Sequence, residues 1–265
     1  MGAALTLYHS PPSTCSQKVR LVLAEKSLVY NSQIVDLFAG GQHHPDYVKL
    51  NPNHVVPTLV HAGRAIIESM LICEYLEDIA PGAPLMPKDA AGRHAVRLWT
   101  QHIDRIHAHG SVLTFAVGPR KMIAAQGPEA IEANIASVHG EKAQAARRSA
   151  LEFGVASPMF GDALSAFVAM LDRMEDALGA SPWLAGDLFT LADTSTLPYV
   201  LRLDHLAMTP LIQARPNVAD WQARMAERPS YGPAIADHLL PPLVAQLKAN
   251  GAEVWPDIAA LIKGA

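Results

Sequence analysis

Over the first eighty residues the apolar side chains come in short runs broken by Pro, Gly, Asn and Ser, whereas the rest of the chain carries long stretches with helical spacing. Leu5-Thr6-Leu7-Tyr8 is β-prone and apolar, and Val19, Leu21, Val22 and Leu23 supply the apolar face of a following helix. Between them lies Pro11-Pro12-Ser13-Thr14-Cys15-Ser16, in which Ser13 or Thr14 suits the N-cap. Residues 59–67 predict a hairpin turning at Ala62-Gly63, and Glu68-Ser69 opens a helix over residues 70–77. Past Ala80-Pro81-Gly82-Ala83-Pro84 the pattern is helical. Helices are expected over 88–117, stopped by Gly118-Pro119, over 160–178, closed by Gly179, over 191–205, and over 218–227, ended by Arg228-Pro229. Residues 120–160 make an Ala-rich, charged insertion containing Gly127-Pro128, Arg147-Arg148 and Gly154-Val155-Ala156-Ser157-Pro158, too long for a plain connection in a helical bundle. Such insertions are where substrate choice tends to reside. An apolar tail runs from 239 to 262.

Composition narrows the field. A chain of 265 residues with 50% hydrophobic content can build two cores. No run approaches the ~18 apolar residues that a membrane span needs. The N-terminus lacks the charged-then-apolar layout of a signal peptide, so a cytoplasmic location and no membrane partner are expected. Cys15 and Cys73 are the only cysteines, which leaves no disulfide framework and fits a reducing compartment. Lys and Arg number 21 against 25 Asp and Glu, a net charge of -4 that offers no basic field to nucleic acid. The 12 histidines include no His-Glu-x-x-His, and the spacings of His102, His107 and His109 scatter around a helix, so no metal is expected.

Three segments carry chemistry. The hydroxyl and thiol cluster from Ser13 to Ser16 sits where a helix starts, and an anion resting there is stabilised by roughly 0.3–1 kcal/mol, up to ~2 when partly buried. A cysteine-type thiol, with a pKa near ~8.5, is pulled down in such a place. Taken alone, the same segment is equally an ordinary capped helix. In Asn51-Pro52-Asn53-His54-Val55-Val56-Pro57-Thr58-Leu59-Val60 a proline interrupts an apolar run that a central strand could not accommodate. A cis Val56-Pro57 bond would turn the Val56 N–H and C=O outward to pair with a peptide laid alongside. Glu68-Ser69 offers a carboxylate for an ammonium, and a hydroxyl with free N–H groups for a carboxylate, as an amino-acid head requires; plain capping is the alternative.

In this order the three segments resemble the glutathione-binding half of the glutathione transferase superfamily. The resemblance implies an α/β thioredoxin-like N-terminal domain, βαβαββα, over residues 1–80, joined to an all-α helical-bundle C-terminal domain over 88–265, with glutathione as co-substrate. Ser13-Thr14-Cys15-Ser16 then occupies the slot that redox relatives fill with Cys-x-x-C and theta- and zeta-like transferases fill with a serine motif. Ser13 replaces the redox nucleophile, and Cys15 keeps a thiol-redox reading open. Val56 and Pro57 match the family's backbone clamp, and Glu68 and Ser69 its γ-glutamyl site. Thr190-Leu191-Ala192-Asp193 matches a capping box whose role is structural. One departure stands out: many relatives have Lys or Gln before the Val-Pro pair, meeting the glycyl end of glutathione, whereas this chain has Val55. His54, or His43-His44, is the candidate replacement.

Ile72-Cys73-Glu74-Tyr75-Leu76-Glu77-Asp78, Arg97-Leu98-Trp99-Thr100 and Ala146-Arg147-Arg148 further resemble the bacterial lignin β-etherases. In those enzymes a glutathione thiolate displaces a phenolate from a carbon next to a ketone, and the residue supporting the thiol falls nearer Ser16 than Ser13. The resemblance thus implies a transferase for an apolar aromatic electrophile, with β-aryl ether cleavage favoured. A zeta-like isomerase and a non-catalytic binding or structural protein are the alternatives. The chain is expected to pair with itself or with a close relative. Trp183 and Trp221 read as core aromatics, and Phe115 and His107 as residues of a substrate pocket.

Overall fold

The computed structural model describes residues 4–80 and 82–264, so Pro81 of the linker lies outside the described residues. The chain runs β1 (Leu5–His9), α1 (Thr14–Glu25), β2 (Tyr30–Ile34), α2 (Pro45–Val48), β3 (Thr58–His61), β4 (Arg64–Ile66) and α3 (Ser69–Ile79), the βαβαββα order expected. The sheet order is β2-β1-β3-β4. β1 lies parallel to β2, with Leu5 opposite Tyr30, and antiparallel to β3, with Leu7 opposite Leu59. The parallel pair requires a crossover, and α1 provides it. Leu5, Leu7 and His9 alternate inward along β1. α1 packs against α3, and Val19, Leu21, Val22, Leu23, Ile72, Cys73 and Leu76 are all buried. The hairpin turns where expected, with Ala62 at φ 52° and Gly63 at φ 74°, the two positive values that a tight two-residue turn demands.

Helices follow: α4 (Ala90–Val117), α5 (Arg120–Ala124), α6 (Pro128–Ala136), α7 (Glu141–Phe153), α8 (Pro158–Ala180), α9 (Leu191–His205), α10 (Thr209–Gln213), α11 (Pro216–Glu227), α12 (Tyr231–Ala234) and α13 (Pro241–Gly264). The 120–160 insertion is therefore α5, α6 and α7 with a short 3₁₀ turn at Gly154–Ala156, and the apolar tail is one helix. Among the described residues no single helix is long and apolar enough to cross a membrane.

Packing divides the chain into two compact units that interleave along the sequence. One takes the chain up to Thr100 together with Ser181–Pro198 and Gln222–Leu240; the other takes Gln101–Ala180, Tyr199–Trp221 and the chain from Pro241. In the first unit, buried Asp193 accepts hydrogen bonds from the N–H groups of Thr190 and Leu184 at 3.0 and 3.1 Å, the helix-start role expected of Thr190-Leu191-Ala192-Asp193. Arg228 forks onto Glu25 at 2.7 and 2.8 Å and lies over Phe189. Trp183 is half-buried against Phe189. In the second unit Phe160, Phe167, Met170, Met174, Tyr199 and Trp221 are all fully buried. There α13 crosses the chain at the end of α9 so closely that a Cβ on Gly251 would stand 1.9 Å from the Leu206 carbonyl oxygen.

Candidate functional site

Four clusters of the first unit hold the residues singled out by sequence. At the start of α1, Ser13 is the N-cap, with its Oγ accepting the Ser16 N–H at 3.2 Å. Thr14, Cys15 and Ser16 form the first turn, so all four candidates share one helix start. Their exposures separate them: Ser13, Thr14 and Cys15 are half-buried, while Ser16 is fully buried and its Oγ accepts the Ser10 N–H at 3.3 Å. A hydroxyl that accepts a capping bond still has its own proton to donate. At Ser13 that proton lies at the accessible end of the helix. At Ser16 it lies in the interior.

The loop before Ser13 is held from below by a residue that sequence reading passed over. Arg20, on α1, is buried and donates to the carbonyls of Ser10 at 3.3 Å, Pro11 at 3.1 Å and Ala234 at 2.7 Å. It also donates to His9 Nδ1 at 3.1 Å, which leaves the His9 Nε2–H to donate to Ser32 Oγ at 2.8 Å. Burial, then Arg20, then His238 push the His9 pKa down to about 3, so His9 stays neutral and accepts from the cation.

The second cluster surrounds Val56-Pro57, whose peptide bond is cis as expected. The Val55 carbonyl accepts from Tyr47 Oη at 2.6 Å and from Asn51 Nδ2 at 2.9 Å, and both partners also meet Thr58 Oγ1, at 2.9 and 3.1 Å. Val56 packs with Val35 and Tyr47 in a small apolar cluster. Neither the N–H nor the C=O of Val56 has a hydrogen-bond partner among the described residues. An unpaired backbone donor and acceptor just ahead of the paired part of β3 is what an added peptide strand needs.

Glu68 and Ser69 form the third cluster. Glu68 caps α3 from φ 68°, ψ 110°, a conformation that costs a non-glycine residue about 1–3 kcal/mol and is held only where the surroundings impose it. Its carboxylate is exposed and accepts from Asn53 Nδ2 at 3.1 Å, which ties it to the loop of the Val56 cluster. Ser69 is the first residue of α3 and is buried.

The fourth cluster is the histidine pair. His43 Nδ1 and His54 Nδ1 share a hydrogen bond of 3.1 Å, and Gln42 Nε2 donates to His43 Nε2 at 3.0 Å. Burial, with the neighbouring His54, lowers the His43 pKa. His44 instead accepts the Asp46 N–H at 3.3 Å as the cap of α2. The side chain of Val55 is exposed and brings no polar group. The loop from Asn51 to Pro57 therefore connects three clusters, through Val56, Asn53 and His54. The hydrogen-bonding roles of Tyr47 and Asn51 at the Val55 carbonyl, and of Asn53 at Glu68, had no sign in the sequence because a single hydrogen-bonding residue in a turn has no pattern.

In the second unit the two expected pocket residues have separate partners. His107 Nδ1 is bonded to Tyr199 Oη at 3.0 Å, and the Arg147 guanidinium lies 3.2 Å above the Phe115 ring centroid. Among the described residues no group of three His, Cys, Asp or Glu side chains is placed to hold a metal.

Residues 12–79 match the family model for the glutathione S-transferase N-terminal domain, and residues 128–224 that for the C-terminal domain. The chain is 28% identical over 266 residues to the glutathione S-transferase TCHQD of Arabidopsis thaliana, covering 98% of this chain and 95% of that protein. It is 30% identical to the tetrachloro-p-hydroquinone reductive dehalogenase of Sphingobium chlorophenolicum, over 86% of this chain and 94% of that one. The crystal structure of the β-etherase LigF from Sphingobium sp. strain SYK-6 superimposes with a TM-score of 0.76 at 27% identity, covering 89% of this chain and 98% of LigF.

Proposed function

The chain belongs to the glutathione S-transferase family, and from that premise we propose that it transfers glutathione to an electrophilic carbon, with cleavage of a β-aryl ether as the favoured reaction. The observation that carries the glutathione half is the unpaired Val56 backbone fixed beside the strained, outward Glu68. Val56 pairs with the cysteinyl backbone. Glu68 meets the γ-glutamyl ammonium, and Ser69 with the first N–H groups of α3 meets the adjoining carboxylate. The His43–His54 pair, in place of the Lys or Gln missing at Val55, receives the glycyl carboxylate. The likeness to LigF and the helical insertion support the ether-cleaving version.

Ser13 is the residue we assign to the thiolate. Lowering a thiol pKa by about two units takes ~2.7 kcal/mol. A hydrogen bond to a charged group supplies ~1.5–3 kcal/mol and the helix start ~0.3–1 kcal/mol, so one hydroxyl on α1 is sufficient. The thiol proton leaves to solvent. The sulfur then forms its bond to the carbon as the carbon–oxygen bond breaks, and the aryloxide departs with the electron pair and is protonated by water. Thiols remain reduced in the cytoplasm, the location we assign; half-buried Cys15 and buried Cys73 are both outside any disulfide. We assign a paired state as well, since Leu71 and Leu98 are exposed beside the Glu74–Arg97 ion pair.

Glutathione at one hundred times its dissociation constant is expected to stabilise the fold by roughly 2.7 kcal/mol, read as a rise in melting temperature. No shift at millimolar glutathione would remove the co-substrate assignment. Turnover is then compared on a β-aryl ether ketone, a chloronitrobenzene and a maleyl compound; activity on the last alone would favour the isomerase. Glu68→Ala is expected to weaken glutathione binding about tenfold, the loss of one charge-assisted contact, with turnover of the bound thiol nearly unchanged. Equal losses in KM and kcat would move Glu68 into the chemistry.

A further inference from the structure

Arg147 and Arg148 are neighbours on α7 with opposite surroundings. Arg148 is matched by two carboxylates, forking onto Glu132 at 2.6 and 2.8 Å and reaching Glu152 at 3.4 Å. Arg147 is half-buried and has no acid: its Nη1 donates to Asn134 Oδ1 at 2.6 Å, and its carbon centre rests on the ring of Phe115, itself half-buried. Burial alone lowers its pKa, to about 10, with no opposing charge to restore it. The stacked ring and the single amide offset only part of its desolvation.

The unused edge is specific. With Nη1 taken by Asn134, the Nε–H and Nη2–H side of Arg147 has no hydrogen-bond partner among the described residues. Elsewhere in this molecule that same edge grips a carboxylate: Arg97 holds Glu74 through Nε at 3.3 Å and Nη2 at 2.8 Å, and Arg228 holds Glu25 through Nε at 2.7 Å and Nη2 at 2.8 Å. Arg147 is thus an arginine with its carboxylate missing, set on an aromatic surface.

The geometry points to a binding site at Arg147, Phe115 and Asn134 for an aromatic carboxylate, gripped side-on by the guanidinium with its ring at the edge of the Phe115 ring that the guanidinium covers. Planar bidentate recognition favours a carboxylate over a spherical anion, and the aromatic neighbour favours an arene over an aliphatic acid. The site lies wholly within the helical unit and needs neither glutathione nor turnover, so it stands or falls apart from the transferase reading.

The test titrates the full chain, without glutathione, with benzoate, its neutral isostere benzamide, and acetate, followed by calorimetry. Benzoate is expected to bind about tenfold or more tightly than either, the worth of one charge-assisted bidentate contact or of one buried ring. Arg147→Gln is expected to abolish the preference for benzoate over benzamide, whereas Arg148→Ala keeps it. In the unsubstituted protein the Nε–H resonance of Arg147 should move on adding benzoate and stay still with benzamide, a readout that needs no variant to fold. Equal binding of benzoate and benzamide, or an Arg147 resonance that ignores benzoate, overturns the site. Acetate binding as well as benzoate overturns its aromatic half.

Discussion

Ser13→Ala is expected to raise the pKa of bound glutathione, followed by thiolate absorbance, by about one unit or more and to cut turnover at neutral pH about tenfold or beyond. The direction follows from the thiolate being the nucleophile: with the pKa raised, the reactive fraction at pH 7 falls, by about threefold for the first unit above ~6.5 and approaching tenfold for each unit beyond pH ~7, and the rate recovers as pH climbs past the new value. Part of the change has another origin. Ser13 also caps α1 through the Ser16 N–H, so the variant loses about 1 kcal/mol of stability as well. Ser13→Thr, which keeps both the acceptor and the donor, separates the two by restoring the pKa. Ser16→Ala should do the reverse. Its Oγ accepts the Ser10 N–H in the interior, so its loss strands a buried donor at a cost of about 1–3 kcal/mol while the thiol pKa stays in place. If the two variants exchange these results, Ser16 is the supporting hydroxyl. If neither matters and Cys15→Ala abolishes activity, thiol–disulfide chemistry replaces the transferase mechanism.

The largest effect on stability is expected at Gly251. An alanine methyl there would sit 1.9 Å from the Leu206 oxygen and 2.5 Å from its carbonyl carbon, both backbone atoms that no rotamer change can clear. α13 would have to move off the end of α9. Overpacking of this kind costs about 3 kcal/mol or more, and at this chain length a melting temperature lower by roughly 6–12 °C follows. Gly161→Ala is the contrast. It lies within α8 with nothing within 4 Å of the added Cβ, so the change should be neutral or stabilise by about 0.5–1 kcal/mol through helix propensity. A loss below about 1 kcal/mol for Gly251→Ala in urea unfolding would show that the two segments separate without cost.

The two substitutions mark what was readable. Ser13 stood out because a cap is a local event: an apolar strand, two prolines, a hydroxyl and an apolar helix face follow one another within twenty residues. Pro57 and the Ala62-Gly63 turn were readable for the same reason, and Glu68 because it precedes an apolar helical run. Gly251 gave no signal, since what forbids a methyl there is Leu206, far away in sequence. His44 and His43 looked alike as loop histidines, yet one caps α2 and the other pairs with His54.

By itself the sequence determined β1, the Ala62-Gly63 hairpin and the helices α1, α3, α4, α8, α9 and α11, the helix start that suits an anion, the proline turn and the acid at a helix entrance, and through their sequence order the family resemblance. These are set by backbone propensity and by periodicity, which act over a few residues and are written in adjacent letters. Tertiary structure alone decided which hydroxyl faces outward and which is buried, that Tyr47 and Asn51 grip the Val55 carbonyl, and that Arg20 supports the loop before Ser13. It also decided that Arg147 has a ring beneath it and no acid beside it, while Arg148 has two. Each of these depends on a partner brought near by chain folding, and the burial that gives such a contact its energy exists only once the surrounding side chains have excluded water.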